Sequence, residues 1–146
     1  MFTLEIHNRT QSRIPKSLFT KLLPRAQRYL VRERRIPSRK NYHLELSFVG
    51  TQTMEHLNAI YHYKNHSTDV ISLSYFSPTM KDFFVGEIFI CLPFARQQAK
   101  KIGQPFFEEL RFLFMHGLLH CFGYDHKKPR EEAHMKQLTY RILGRV

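Results

Sequence analysis

The stretch FMHGLLHCFGYDH, residues 114–126, carries three histidines: His116, His120 and His126. Four residues turn an α-helix by about 400°, so His116 and His120 project from one face, a turn apart. Gly123 lets the chain leave that helix in a left-handed conformation, and the turn brings His126 back toward the first two. Three imidazoles on one ion leave a fourth position for water, which is the pattern of catalytic rather than structural zinc. An all-imidazole set also favours zinc among the divalent metals. Cys121 lies five positions from His116, about 140° round the helix, and is poorly placed as a ligand. The competing view, three unrelated histidines, has to treat the third histidine and the glycine in register as coincidence. His62 and His66 are also four apart, but their segment is polar and offers no third partner.

The same spacing occurs in metzincin proteases, His-Glu-x-x-His-x-x-Gly-x-x-His, except that Gly117 stands where those enzymes place their general base. Peptide hydrolysis leans on that glutamate. Zinc lowers the pKa of its own water to about 7, and a hydroxide already formed at neutral pH reduces the need for a separate base at this position. Asp125 reads either as an orienting partner for a ligand imidazole or as an ordinary turn carboxylate, and Glu87 as a strand residue that could face the site.

The charge balance points the same way. Lys and Arg number 23 against 12 Asp and Glu, a net charge of +11, which suits a polyanionic partner. The excess is concentrated in RAQRYLVRERRIPSRK, residues 25–40, where Glu33 is the one acid. Arg25, Arg28, Arg32, Arg35 and Arg39, with Lys64 further on, are the candidate RNA contacts; the alternative is a generally solvated helix face. No apolar run approaches the roughly 18 residues of a membrane span. The start, MFTLEIHNRT, has an acidic residue and no apolar core of a signal peptide, so no secretory signal is expected. Cys91 and Cys121 read as reduced core thiols rather than a disulfide.

These residues need a scaffold, and the pattern supplies one. Alternation over 3–7 and 42–49 predicts strands with Leu4, Ile6, Leu44, Leu46 and Phe48 facing inward. Helical spacing runs from Pro15 to about Arg35, with Pro24 as a kink. TQTMEHLNAIYHY predicts a short helix capped by Thr51 or Thr53. Residues 69–76 and 84–92 read as paired strands joined around Ser77. Three helices follow, opened by Pro93, Pro105 and Pro129; Gly103 and Gly123 end the first two. The expectation is a single α+β domain over 1–146, with a small, mainly antiparallel sheet of about four strands and about five helices.

The residues now in hand resemble a known family. HGLLHCFGYDH is similar to the His-Gly-x-Leu-His-x-x-Gly-Tyr-Asp-His signature of the bacterial YbeY family of endoribonuclease and rRNA maturation factors. Leu57, Asn58, Tyr61, Lys64, Thr68, Asp69, Val70 and Ser72 match an upstream segment of that family, and Gly86, Ile88, Ala95, Gln98 and Ala99 match another. The resemblance covers about 43–143. It implies one zinc ion on His116, His120 and His126, single-strand endoribonuclease activity in 3′-end maturation of small-subunit rRNA, and a part in ribosome quality control. It also implies contact with ribosomal RNA and small-subunit components, with no membrane and no small-molecule cofactor. His62 stands where the family commonly has arginine, Asn65 replaces an aspartate and Ser67 a proline. An arginine grips phosphate with a fixed fork; a histidine there would make a weaker, pH-dependent contact, so His62 joins the candidate catalytic residues. Two alternatives to an endoribonuclease stay open: a metal-stabilised, non-catalytic ribosome-assembly factor, and a metalloprotease.

Overall fold

In the computed structural model, residues 1–61, 69–77, 83–125 and 127–144 are described. Four strands form one sheet: β1 (Phe2–Asn8), β2 (Tyr42–Val49), β3 (Val70–Ser74) and β4 (Phe84–Cys91). The order across the sheet is β1-β2-β4-β3. β1 pairs parallel with β2, and β2 parallel with β4; β3 alone runs antiparallel, against β4. The expectation of a mainly antiparallel sheet is therefore corrected, while the α+β class and the four strands stand. The physical reason lies in the connections. Parallel pairing needs a crossover of a dozen or more residues, and residues 9–41 and 50–83 supply two such crossovers.

The stretch read as one kinked helix is two pieces. α1 is a single turn, Ser17–Thr20, and α2 runs Leu23–Arg32 with Pro24 in its first turn. Proline lacks the N–H that the first turn leaves unpaired anyway, so Pro24 opens α2 instead of bending a longer helix. α3 (Thr51–Tyr61) begins with Met54 N–H donating to the Gly50 carbonyl at 3.1 Å. α4 (Leu92–Ile102) ends on Gly103 at φ +75°. α6 (Pro129–Leu143) opens on its proline, carries Glu131 and Glu132 in the first turn, and ends on Gly144 at φ +81°. Both glycine stops have the left-handed backbone that a Cβ disfavours.

α5 (Phe106–Cys121) occupies the centre, packed against β3, β4, α4 and α6. Leu110, Leu113, Phe114, Leu118 and Leu119 are buried in the main core with Leu44, Leu46, Ile88 and Ile90 from the sheet. Each such side chain contributes about 1.5–3 kcal/mol on leaving water. Phe19 lies between Phe48 and Phe114, at ring distances of 5.6 and 5.2 Å. At the far end of α5, Phe122 meets Phe2, Tyr42 and Phe76 at 5.6, 5.5 and 5.0 Å. These aromatic contacts fix where α5 stops. The other face of the sheet carries a smaller cluster, Val49, Met54, Ile71 and Cys91, under α3. Among the described residues, no helix is long and apolar enough to cross a membrane.

Candidate active site on helix α5

Between Phe112 and Cys121 every residue of α5 is buried except Phe112, His116 and His120, which are half-buried. The three are spaced four apart, so they form the single open stripe on the C-terminal part of α5, residues 112–121. Their rings are ordered by one another. The Phe112 ring lies nearly parallel to that of His116, at 5.8 Å and 20°. His116 and His120 meet edge to face at 4.7 Å and 81°. The two Nε2 atoms are 3.2 Å apart. Two imidazole nitrogens on one tetrahedral zinc, each at 2.0–2.1 Å, would be separated by roughly 3.3 Å. The separation of the pair therefore matches that of two ligands on a shared ion. His126, the expected third ligand, lies outside the described residues, as do His62, Lys64 and His66.

The end of α5 is held on three sides. Gly123, at φ +92°, donates to the His120 carbonyl at 3.0 Å, and Tyr124 N–H to the Leu119 carbonyl at 3.1 Å. This is the Schellman arrangement, which satisfies carbonyls the helix leaves open, and it confirms Gly123 as the stop. Ser74, at the end of β3, donates its hydroxyl to the Cys121 carbonyl at 2.6 Å. On the sheet side, a β-carbon at Gly86 would come 2.5 Å from the Leu73 carbonyl oxygen and 2.7 Å from Cys121 Sγ. Glycine at 86 thus allows β4, β3 and α5 to touch. Sequence reasoning missed Ser74 and Phe112, whose roles depend on contacts across elements; Phe112 was legible only as another member of the i, i+4 series.

Gly117 has a structural explanation. A β-carbon there would lie 2.9 Å from Ile88 Cγ2 on β4. Position 117 faces the sheet, and any side chain there would have to displace Ile88, a glutamate most of all. Cys121 is buried in the main core, on the side of α5 away from the open histidines, and burial pushes its thiol up to about 12. Glu87 does not face the stripe. Gly86 and Ile88 point at α5, so alternation along β4 places Glu87 on the opposite face. Its carboxyl is raised by burial first and by Glu45 second. Asp125 lies 3.9 Å from Lys127 across an ion pair. Asp69, just before β3, is raised by burial, an effect opposed by backbone N–H groups of its own residue and Val70.

The arginine-rich segment divides into two groups. Arg25 donates to the Arg141 carbonyl at 2.9 Å, tying α2 to α6. Arg35 lies over the Tyr124 ring at 4.1 Å, and Arg32 over Tyr29 at 5.3 Å. Arg28 and Arg39 are exposed. Glu33, the single acid of the segment, accepts from the Tyr124 hydroxyl at 3.2 Å and pairs with His134 at 2.6 Å. Residues 33–35 are thus anchored to the turn that follows α5. Beside this anchor lies a groove of about 380 Å³ lined by Arg34, Arg35, Lys40, Tyr42 and Phe76, among others. A second cleft, about 310 Å³, is lined by Phe112, His116, Glu132, Met135 and Lys136, between α5 and α6.

The family model described as endoribonuclease YbeY matches residues 5–146. An endoribonuclease YbeY of Ureaplasma urealyticum is 39% identical over 107 residues, covering 73% of this chain and 69% of its own. That of Aster yellows witches'-broom phytoplasma is 35% identical over 149 aligned residues, covering 98% and 93% of the two chains. A solution structure of the Thermotoga maritima protein TM1509 shares the fold, with a TM-score of 0.60 at 19% identity over 97% of this chain and 90% of that one. The match over nearly the whole chain settles its kinship: it belongs to the endoribonuclease YbeY family.

Proposed function

We propose that this chain is a metal-dependent endoribonuclease, a single metallohydrolase domain over 1–146 that cleaves single-stranded RNA in the maturation of the small-subunit rRNA 3′ end. The observation that carries the reading is the open stripe on the C-terminal part of α5, where the Nε2 atoms of His116 and His120 stand 3.2 Å apart. His126, five residues beyond the end of α5, would complete the set, with one zinc ion as the metal. Such an ion, when bound, would supply an activated water at neutral pH and charge relief on phosphate. The chain's own residues do the rest. Phe112 holds the His116 ring plane, and the Schellman turn together with Ser74 holds the His120 end of the helix. The cleft between α5 and α6, lined by Phe112, His116, Met135, the cation Lys136 and the acid Glu132, opens beside the stripe and offers a strand of RNA a way in. Exposed Arg28 and Arg39, with the groove at Arg34 and Lys40, give the rest of the strand a cationic path. His62 is a candidate phosphate contact. Cytoplasmic location, contact with small-subunit components and a part in ribosome quality control belong to the same reading.

The protease alternative loses ground to a specific observation, since Ile88 fills the space a catalytic glutamate at 117 would need. The non-catalytic alternative is separated by experiment. Metal content and cleavage of precursor rRNA are measured on wild type and on a folded His120→Ala variant. The expected result is loss of both bound zinc and cleavage, with RNA binding kept. A folded variant without metal that still cleaves would overturn the assignment; one that still supports rRNA maturation without cleaving would favour the assembly-factor reading.

A further inference from the structure

On the face of the sheet turned away from α5, parallel pairing brings acids into one rung. Glu5 is directly opposite Glu45, and Glu45 directly opposite Glu87. Like charges at directly opposed positions destabilise a sheet. Three of the chain's twelve acidic residues are spent on this rung, in a protein whose surface is otherwise strongly basic. Imidazoles flank the rung. His7 Nε2 is 2.9 Å from Glu45 Oε1 and 3.7 Å from Glu5 Oε1. His43 Nε2 is 3.8 Å from Glu5 Oε2, and its Nδ1 is 2.8 Å from the Thr3 hydroxyl.

We propose that Glu5, His7 and Glu45 form a second divalent-metal site, separate from the histidine stripe and on the other side of the sheet. One donor atom from each of these residues lies within 4.8 Å of the other two. One imidazole and two carboxylates suit a first-row ion such as Zn²⁺ or Mn²⁺, with water in the remaining positions. The donors project from two adjacent, hydrogen-bonded strands, which hold ligands more rigidly than a loop does. Thr3 and His43 form the outer contacts: the hydroxyl orients His43, which in turn stands beside Glu5, the role that outer partners play around metal ligands. The ion would relieve the repulsion between Glu5 and Glu45 that pairing enforces. The competing arrangement is a plain ion-pair network, in which a protonated His7 balances the carboxylates and no metal binds.

The two are separated by titrating Zn²⁺, and in parallel Mn²⁺, into the full chain by calorimetry. A His116→Ala/His120→Ala background removes the stripe, so this test does not depend on the endoribonuclease reading. That background should still bind one ion per chain, and its Tm should rise with added metal. Adding Glu45→Gln, or in a separate variant His7→Asn, should weaken this binding at least tenfold and abolish the Tm rise. Circular dichroism checks that each variant is folded, and Glu5→Gln on the more exposed strand serves if Glu45→Gln is not. No binding in the background variant overturns the proposal. So does binding that is unchanged by the substitutions on β1 and β2.

Discussion

Gly117 and Ile88 are in contact across the α5–β4 interface so closely that a β-carbon at 117 would lie 2.9 Å from Ile88 Cγ2. Ile88 is fully buried, and the atom in the way is a methyl on its branched β-carbon, with little freedom to swing aside. Gly117→Ala should therefore destabilise the protein. Overpacking costs about 1–3 kcal/mol, and better helix propensity returns about 0.5–1 kcal/mol. A net loss of about 1–2 kcal/mol is expected in urea denaturation. Gly117→Glu should lose more and should acquire no peptidase activity. A stable, proteolytic Gly117→Glu variant would contradict the placement of this residue.

Phe112 stacks on His116 one turn along α5 and also meets Tyr140 of α6 at 5.8 Å. Phe112→Leu keeps an apolar side chain but removes the flat surface against which the imidazole rests. Loss of partners that orient a metal ligand typically lowers metal affinity 10–100-fold; for a stacking contact the low end, about tenfold, is expected. Competition with a chromogenic chelator measures it. Equal affinity in the variant would show that the helix alone sets the His116 ring.

The histidine pair was legible in the sequence because a helix converts spacing into position: residues 116 and 120 share a face by geometry alone. Gly103 and Gly123 were legible as stops for a similar local reason. The sheet was not. The alternation in β1 and β2 reports one buried face, but it is the same for parallel and antiparallel neighbours. Which strands pair, and in what register, is decided by the crossovers and by how α5 packs on Ile88 and Gly86. The opposition of Glu5, Glu45 and Glu87 follows from that register, so nothing in their separate segments announces it. Arg25 and Arg35 likewise read as surface charge until Arg141 and Tyr124, over eighty residues away, are placed beside them.

Tyr124 is 4% exposed, and its phenol is pushed from 10.0 up to about 12, by burial first and by Glu33 second. The protonated form is favoured in the folded state. Its contribution is fully present below pH 10 and is lost as pH rises from 10 to 12, where the unfolded chain gives up a proton that the folded chain keeps. Two units correspond to an upper bound of about 2.7 kcal/mol. Tyr124→Phe keeps the ring under Arg35 and removes the hydroxyl. It should cost about 1 kcal/mol at pH 7 through the lost bond to Glu33, yet show a smaller fall in stability between pH 10 and 11.5 than wild type. Urea midpoints at several pH values report both effects, and parallel pH profiles for the two proteins would refute the linkage.

Arg28, Arg35 and Arg39 are all exposed, but Arg35 also lies over the Tyr124 ring, and half-buried Arg25 donates to the Arg141 carbonyl. The two groups should respond differently to neutralisation. If Arg28 and Arg39 contact phosphates of single-stranded RNA, each Arg→Gln change should reduce the slope of log affinity against log salt by about 0.7, with little change in stability. Arg35→Gln should lower the urea midpoint as well, because it strips the cation from the Tyr124 ring and loosens the turn after α5. That coupling predicts a further difference: cleavage rate should fall with Arg35→Gln even at RNA concentrations that saturate binding, while Arg28→Gln should affect only the concentration needed. Filter binding over a salt series, combined with single-turnover cleavage, separates the two. An unchanged salt slope in the Arg28→Gln/Arg39→Gln double variant would remove this surface from the RNA path.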